Sequence, residues 1–131
     1  LALMEREDPE FADWFWGYLA QGGRYPAWSD AELEPLLPDA GIRRQVIAGL
    51  RPRGTDFFME PMPVPPGWLE APCGYLQFSG AYDRPARQAQ AAGWPVRRIP
   101  AWHFHPLVDP GAVADAMLDV IRTFADEGAT R

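Results

Sequence analysis

Tyr75-Leu76-Gln77-Phe78-Ser79 and Pro95-Val96-Arg97-Arg98-Ile99 are two short apolar-rich runs, and what lies between and after them decides the fold. Asp83 follows the first run in a loop. Residues 85–92 have helical character, and Gly93 can end that helix. His103 follows the second run, again in a loop. Asp109-Pro110 then opens a closing helix whose apolar face uses Val113, Met117, Val120, Ile121 and Phe124. The order is strand, acid, helix, strand, histidine, helix. Such alternation favours parallel strands joined by helical crossovers.

Upstream of this block the pattern changes. Residues 59–67 contain Pro61, Pro63, Pro65 and Pro66, which remove backbone donors and stiffen the chain into an extended surface run. Before that run the sequence is helical and aromatic. Asp8-Pro9 reads as a helix start, and Phe11, Trp14, Phe15, Tyr18 and Leu19 recur at helical spacing until Gly22-Gly23. Ser29-Asp30-Ala31-Glu32 fits a capping box, with Pro35 and Pro38 keeping its helix short. Ile42, Val46, Ile47 and Leu50 make a third apolar stripe, and residues 55–60 add a further turn. The expected organisation is therefore α/β. Residues 1–66 form a helical cap-like region with its proline-rich linker, and residues 67–131 form two late parallel strands with flanking helices.

Composition narrows the classes of function. A chain of 131 residues, 47% hydrophobic, suits a single domain with a core, despite 15 prolines and 12 glycines. A net charge of −6 argues against a nucleic-acid partner, whose phosphates demand a basic face. All twelve basic residues are arginine, with no lysine or asparagine. That bias is read as GC-rich coding and points to a bacterial, cytoplasmic protein. The single Cys73 allows no internal disulfide. No run approaches the ~20 apolar residues of a membrane span, and the first residues lack the regions of a signal peptide.

The second half resembles the C-terminal part of an α/β-hydrolase. The residues carrying the resemblance are Tyr75-Leu76-Gln77-Phe78-Ser79-Gly80-Ala81-Tyr82-Asp83, Gly93-Trp94-Pro95-Val96-Arg97-Arg98-Ile99-Pro100 and Trp102-His103-Phe104-His105-Pro106-Leu107-Val108-Asp109-Pro110. The last of these looks like the family's histidine loop, although Ala101-Trp102 stands where small residues are usual. The match covers residues 72–124. The helical first half is similar to the cap inserted before the late strands in many members. The resemblance implies a partial α/β-hydrolase fold and an esterase-like Ser-His-Asp mechanism needing no cofactor and no metal. His103 would be the general base. Asp83 would be the acid that orients it. The substrate implied is a small apolar ester.

Each assignment has a plainer counterpart. His103 is also readable as an ordinary loop histidine, and Asp83, before Arg84-Pro85, as a helix cap. Asp56 and Glu60 are weaker candidates for the acid. His105, two residues from His103, could share a metal with it, a third reading in which a metal hydrolase uses both histidines and an acid. A packed histidine, or one that supports the site without touching the reacting groups, suits His105 better. Arg97-Arg98 reads as an exposed strand end, and Cys73 as a small buried residue at a strand start. Trp14, Phe15, Tyr18, Trp28 and Phe58 are candidates for lining an apolar substrate pocket, with Phe57 and Met59 beside them. An aromatic stripe of this kind serves a core equally well.

The nucleophile is missing. Only Ser29 and Ser79 occur, and neither lies in Gly-x-Ser-x-Gly. On the hydrolase reading the early strands, oxyanion-hole loop and nucleophile elbow lie upstream of residue 1. The chain alone is then inactive and prone to self-association, because parallel strands need neighbours. The alternative is a small non-catalytic α/β domain that binds a ligand or partner through its aromatic helices.

Overall fold

The computed structural model describes residues 9–129. The chain falls into two units, Leu1–Pro63 and Val64–Arg131, divided inside the proline-rich run. Asp8, read above as the cap of the first helix, lies outside the described residues.

The first unit is helical. Helix α1 spans Pro9–Ala20, α2 Asp30–Leu33, α3 Ala40–Gly49 and α4 Thr55–Met59. Gly22 ends α1 because its φ of +85° is open to glycine at no steric cost. The Gly22 N–H donates to the Leu19 carbonyl and the Gly23 N–H to the Tyr18 carbonyl, a glycine cap that satisfies two free carbonyls. The capping box of α2 forms: the Ser29 hydroxyl accepts from the Glu32 N–H, and the Glu32 carboxylate accepts from the Ser29 N–H at 2.8 Å. Asp39 caps α3 by accepting from the Ile42 N–H at 2.8 Å. An isolated antiparallel bridge ties Tyr25 to Arg53, with N–H···O distances of 2.9 and 2.8 Å.

The core of this unit is built on Phe15, Leu33 and Leu37, all essentially without exposed surface. Ala12 and Leu19 share the buried face of α1, whereas Trp14 is 55% exposed. The stripe of α1 is thus split between a buried edge and an open one. The apolar stripe of α3 is only half-buried; the buried residue there is Arg43, at 6% exposure. Its Nε donates to Asp30 at 2.8 Å, and Nη1 donates to the carbonyls of Leu37 and Pro38 at 2.8 and 3.0 Å. Those carbonyls lie beyond the end of α2 and have no helical partner, so the guanidinium supplies the donors they lack.

Two carboxylates of this unit titrate low. The Arg43 hydrogen bond holds Asp30 below its ordinary range, and the backbone and hydroxyl of Ser29 do the same for Glu32. A depressed folded-state pKa gives stability that is complete above the unfolded pKa and lost as pH falls through the folded one. Thermal midpoints of the chain are therefore expected to hold above about pH 5 and fall below about pH 4. Asp30→Asn should melt lower at pH 7 and show a shallower acid dependence. An acid profile identical to that of the parent chain would remove this pair from the account.

The second unit is a β–α–β arrangement closed by helices. Strand β1 spans Tyr75–Gln77, α5 Asp83–Ala91, β2 Val96–Arg98, α6 His105–Val108 and α7 Pro110–Ala129. The strands pair in parallel, with Tyr75 opposite Val96 and Gln77 opposite Arg98. Both are shorter than the runs read from sequence. Helix α5 is the crossover and buries Ala86 and Ala89. Gly93, at φ +78°, ends it with the same cap as α1: the Gly93 N–H donates to Gln90 and the Trp94 N–H to Ala89. Asp109 caps α7 by accepting from the Ala112 N–H at 3.0 Å.

Helix α7 lies on the sheet face that carries Gly74 and Leu76. A Cβ at position 74 would stand 2.2 Å from Val120 Cγ1, so only glycine lets the helix approach this closely. Beside that contact is an apolar cavity of about 210 Å³ lined by Gly74, Leu76, Met117, Val120, Ile121 and Phe124. No helix among the described residues is long and apolar enough to cross a membrane.

Candidate functional site

A parallel pair joined by a crossover sends the chain off the same edge of the sheet after each strand. Here the pairing continues past β2. The Ile99 N–H donates to the Gln77 carbonyl at 2.9 Å and the Ala101 N–H to the Phe78 carbonyl at 3.1 Å. Segments 79–83 and 101–105 therefore leave the sheet side by side.

The first of these segments makes a 3-10 turn over Gly80–Tyr82 and runs directly into α5. Asp83 is consequently the first residue of that helix rather than a loop residue, and it makes no side-chain cap there. Its Oδ1 accepts from Gln77 Nε2 and lies 3.9 Å from Arg98 Nη1. The Asp83–Arg98 pair is about half exposed on both sides, so it contributes little stability. Gln77 is different. It is 5% exposed, and its Nε2 also donates to the Ser79 carbonyl at 3.0 Å.

His103 sits in the turn before α6 and is exposed. Its imidazole meets the Tyr82 ring edge to face, with centroids 5.7 Å apart, and lies 5.8 Å from Phe104. The structure thus brings His103 against the residue preceding Asp83. It does not join the two side chains: no hydrogen bond or ion pair links Asp83 to His103. His105 opens α6, half-buried, with its ring 6.3 Å from that of Phe78 at the end of β1. Among the described residues no group of three His, Cys, Asp or Glu gathers in a metal-holding arrangement. Cys73 is half-buried, with Sγ 3.2 Å from the Ala71 carbonyl.

Neither serine has the strained backbone of a nucleophile elbow. Ser29 (φ −84°, ψ 165°) and Ser79 (φ −112°, ψ 163°) are both ordinarily extended. Ser29 Oγ is engaged with Glu32 at 2.7 Å, and the Ser79 carbonyl accepts from the Tyr82 N–H.

In the first unit, Trp14 and Tyr18 stack on one another at 5.5 Å with ring planes 5° apart, and the Tyr18 hydroxyl donates to the Arg24 carbonyl at 3.1 Å. Phe15 is at the centre of the core, 4.9 Å from Phe58 and 5.3 Å from Tyr25. Trp28 stands edge to face with Tyr25 at 5.6 Å. Of the residues read as pocket-lining, Trp14 is open to solvent, Tyr18, Trp28 and Phe58 are half-buried, and Phe15 is enclosed. Sequence reasoning missed two residues, Gln77 and Arg43. Gln77 sat in plain view as the one polar residue within Tyr75-Leu76-Gln77-Phe78, a strand otherwise fit for burial. No known protein family, curated protein or solved structure matches this chain.

Proposed function

We propose that this chain carries the acid and the base of a serine-type α/β-hydrolase, the nucleophile being supplied by polypeptide outside these 131 residues. One observation carries the reading. Two parallel strands joined by a helix deliver an aspartate and a histidine to adjoining segments at one sheet edge, with Tyr82 and His103 in ring contact. In the reaction His103 takes the proton of a serine hydroxyl as its oxygen attacks the ester carbonyl. It then gives that proton to the departing alkoxide, and water later releases the acid. Asp83 holds the imidazole in the required tautomer and stabilises its cation. The substrate class is a small apolar ester. No cofactor enters the mechanism.

The chain by itself is then catalytically incomplete. Purified alone, it should not turn over p-nitrophenyl butyrate. It should also self-associate, since α7 leaves Met117, Leu118 and Ile121 about half exposed and, among the described residues, β1 is paired on one edge only. Ester turnover abolished by a serine-directed phosphonate, or a sharp monomer in sedimentation, would count against the proposal. The coding sequence upstream of residue 1 decides further: an in-frame strand followed by Gly-x-Ser-x-Gly supports it.

A second reading, a non-catalytic binding domain, is favoured by the open Trp14–Tyr18 stack, a flat aromatic surface of the kind that holds apolar ligands. A ribosome-binding site immediately before residue 1 or Met4 would favour it over the hydrolase.

A further inference from the structure

We infer that Gln77 is a positioning residue for Asp83: its buried amide claims Oδ1 for the scaffold and leaves Oδ2 as the oxygen that receives the His103 imidazole. The inference rests on the hydrolase reading above.

The chemistry of the contact fixes which way the amide points. Both groups around Gln77 Nε2, the Ser79 carbonyl and the Asp83 carboxylate, are acceptors. The amide nitrogen has two N–H donors and its oxygen has none, so the nitrogen must face them. Glutamate at this position would set an oxygen against two oxygens. A side chain without donors would strand a buried carbonyl and leave the carboxylate free to rotate. Burial makes the contact selective, because water cannot readily replace the amide at a residue only 5% exposed.

The brace also spans two elements. Gln77 lies at the end of β1, Ser79 leads into the 3-10 turn, and Asp83 begins α5. One amide therefore sets the carboxylate relative to the sheet that also anchors segment 99–101 through the Gln77 and Phe78 carbonyls. Oδ2 accepts no hydrogen bond from any described residue, and His103 is the base on the adjoining segment.

Two measurements test this. In the wild-type chain, NMR should show Gln77 side-chain amide protons that exchange more slowly than those of a free glutamine. Exchange at the free rate overturns the inference without recourse to any variant. In the protein that unites this chain with its nucleophile, Gln77→Met is expected to lower kcat on p-nitrophenyl butyrate on the order of 10²-fold, the effect of misplacing a catalytic group. KM should stay within about twofold. Gln77→Met combined with Asp83→Asn should be no slower than Asp83→Asn alone. A merely structural glutamine would give losses that multiply in the double variant, or a kcat unmoved by Gln77→Met; either result overturns the inference while leaving the hydrolase standing. Full activity in Asp83→Asn removes the hydrolase reading, and the inference with it.

Discussion

On the hydrolase proposal, His103→Ala is expected to lower ester turnover on the order of 10⁶-fold in a protein that unites this chain with a serine nucleophile. On that proposal nothing would then take the hydroxyl proton, and the remaining rate would be what substrate binding and the oxyanion donors provide. The companion change, Asp83→Asn, should lower kcat by about 10⁴-fold, since it leaves the base present but wrongly oriented. Neither change should unfold the chain. His103 is exposed, and its neighbours are the rings of Tyr82 and Phe104 rather than the core. Circular dichroism and thermal midpoints close to wild type, together with lost turnover, are the expected combination. A variant retaining kcat within about tenfold would take His103 out of the mechanism.

Phe15→Ala should give the largest loss of stability of any single truncation in the first unit. The ring is fully enclosed and meets Phe11, Trp16, Tyr25 and Phe58 at centroid separations between 4.9 and 5.7 Å. Removing it forfeits both the apolar burial and the ring contacts, and leaves a void its rigid neighbours fill only in part. The expected loss is about 3–5 kcal/mol. Against a typical domain stability of roughly 5–15 kcal/mol, that is enough to leave a substantial unfolded fraction. Trp14→Ala is the contrast. That ring is 55% exposed and touches chiefly Phe11 and Tyr18, so its loss should be about 1 kcal/mol. Chemical denaturation followed by circular dichroism measures both. A Phe15→Ala midpoint equal to that of Trp14→Ala would mean that the buried aromatic cluster is not what stabilises the unit.

The parts of this fold that could be read from sequence are those governed by local chemistry. Ser29 with Glu32 announces a capping box, Gly22 and Gly93 announce helix ends, and Asp109-Pro110 announces a helix start; each depends on residues within one turn of itself. The parallel pairing of β1 with β2 also followed from alternation of elements. What could not be read depends on distant partners. Nothing within the stretch around Arg43 reveals that Asp30 and two loop carbonyls will enclose it in place of the aliphatic stripe beside it. The sequence placed Asp83 in a loop, but the 3-10 turn over Gly80–Tyr82 draws it into the first turn of α5. The Asp83 brace was equally hidden, because a lone glutamine in a strand shows no partner until the following turn brings the aspartate back to it. Phe11, Trp14, Phe15 and Tyr18 share a helical spacing that does not distinguish the enclosed Phe15 from the open Trp14.

The bond from the Ala101 amide to the Phe78 carbonyl fixes how far the imidazole can travel. Only Trp102 separates that anchor from His103, and two residues reach at most about 7 Å when extended. The histidine is therefore on a short leash whose fixed end belongs to the same sheet that holds the aspartate.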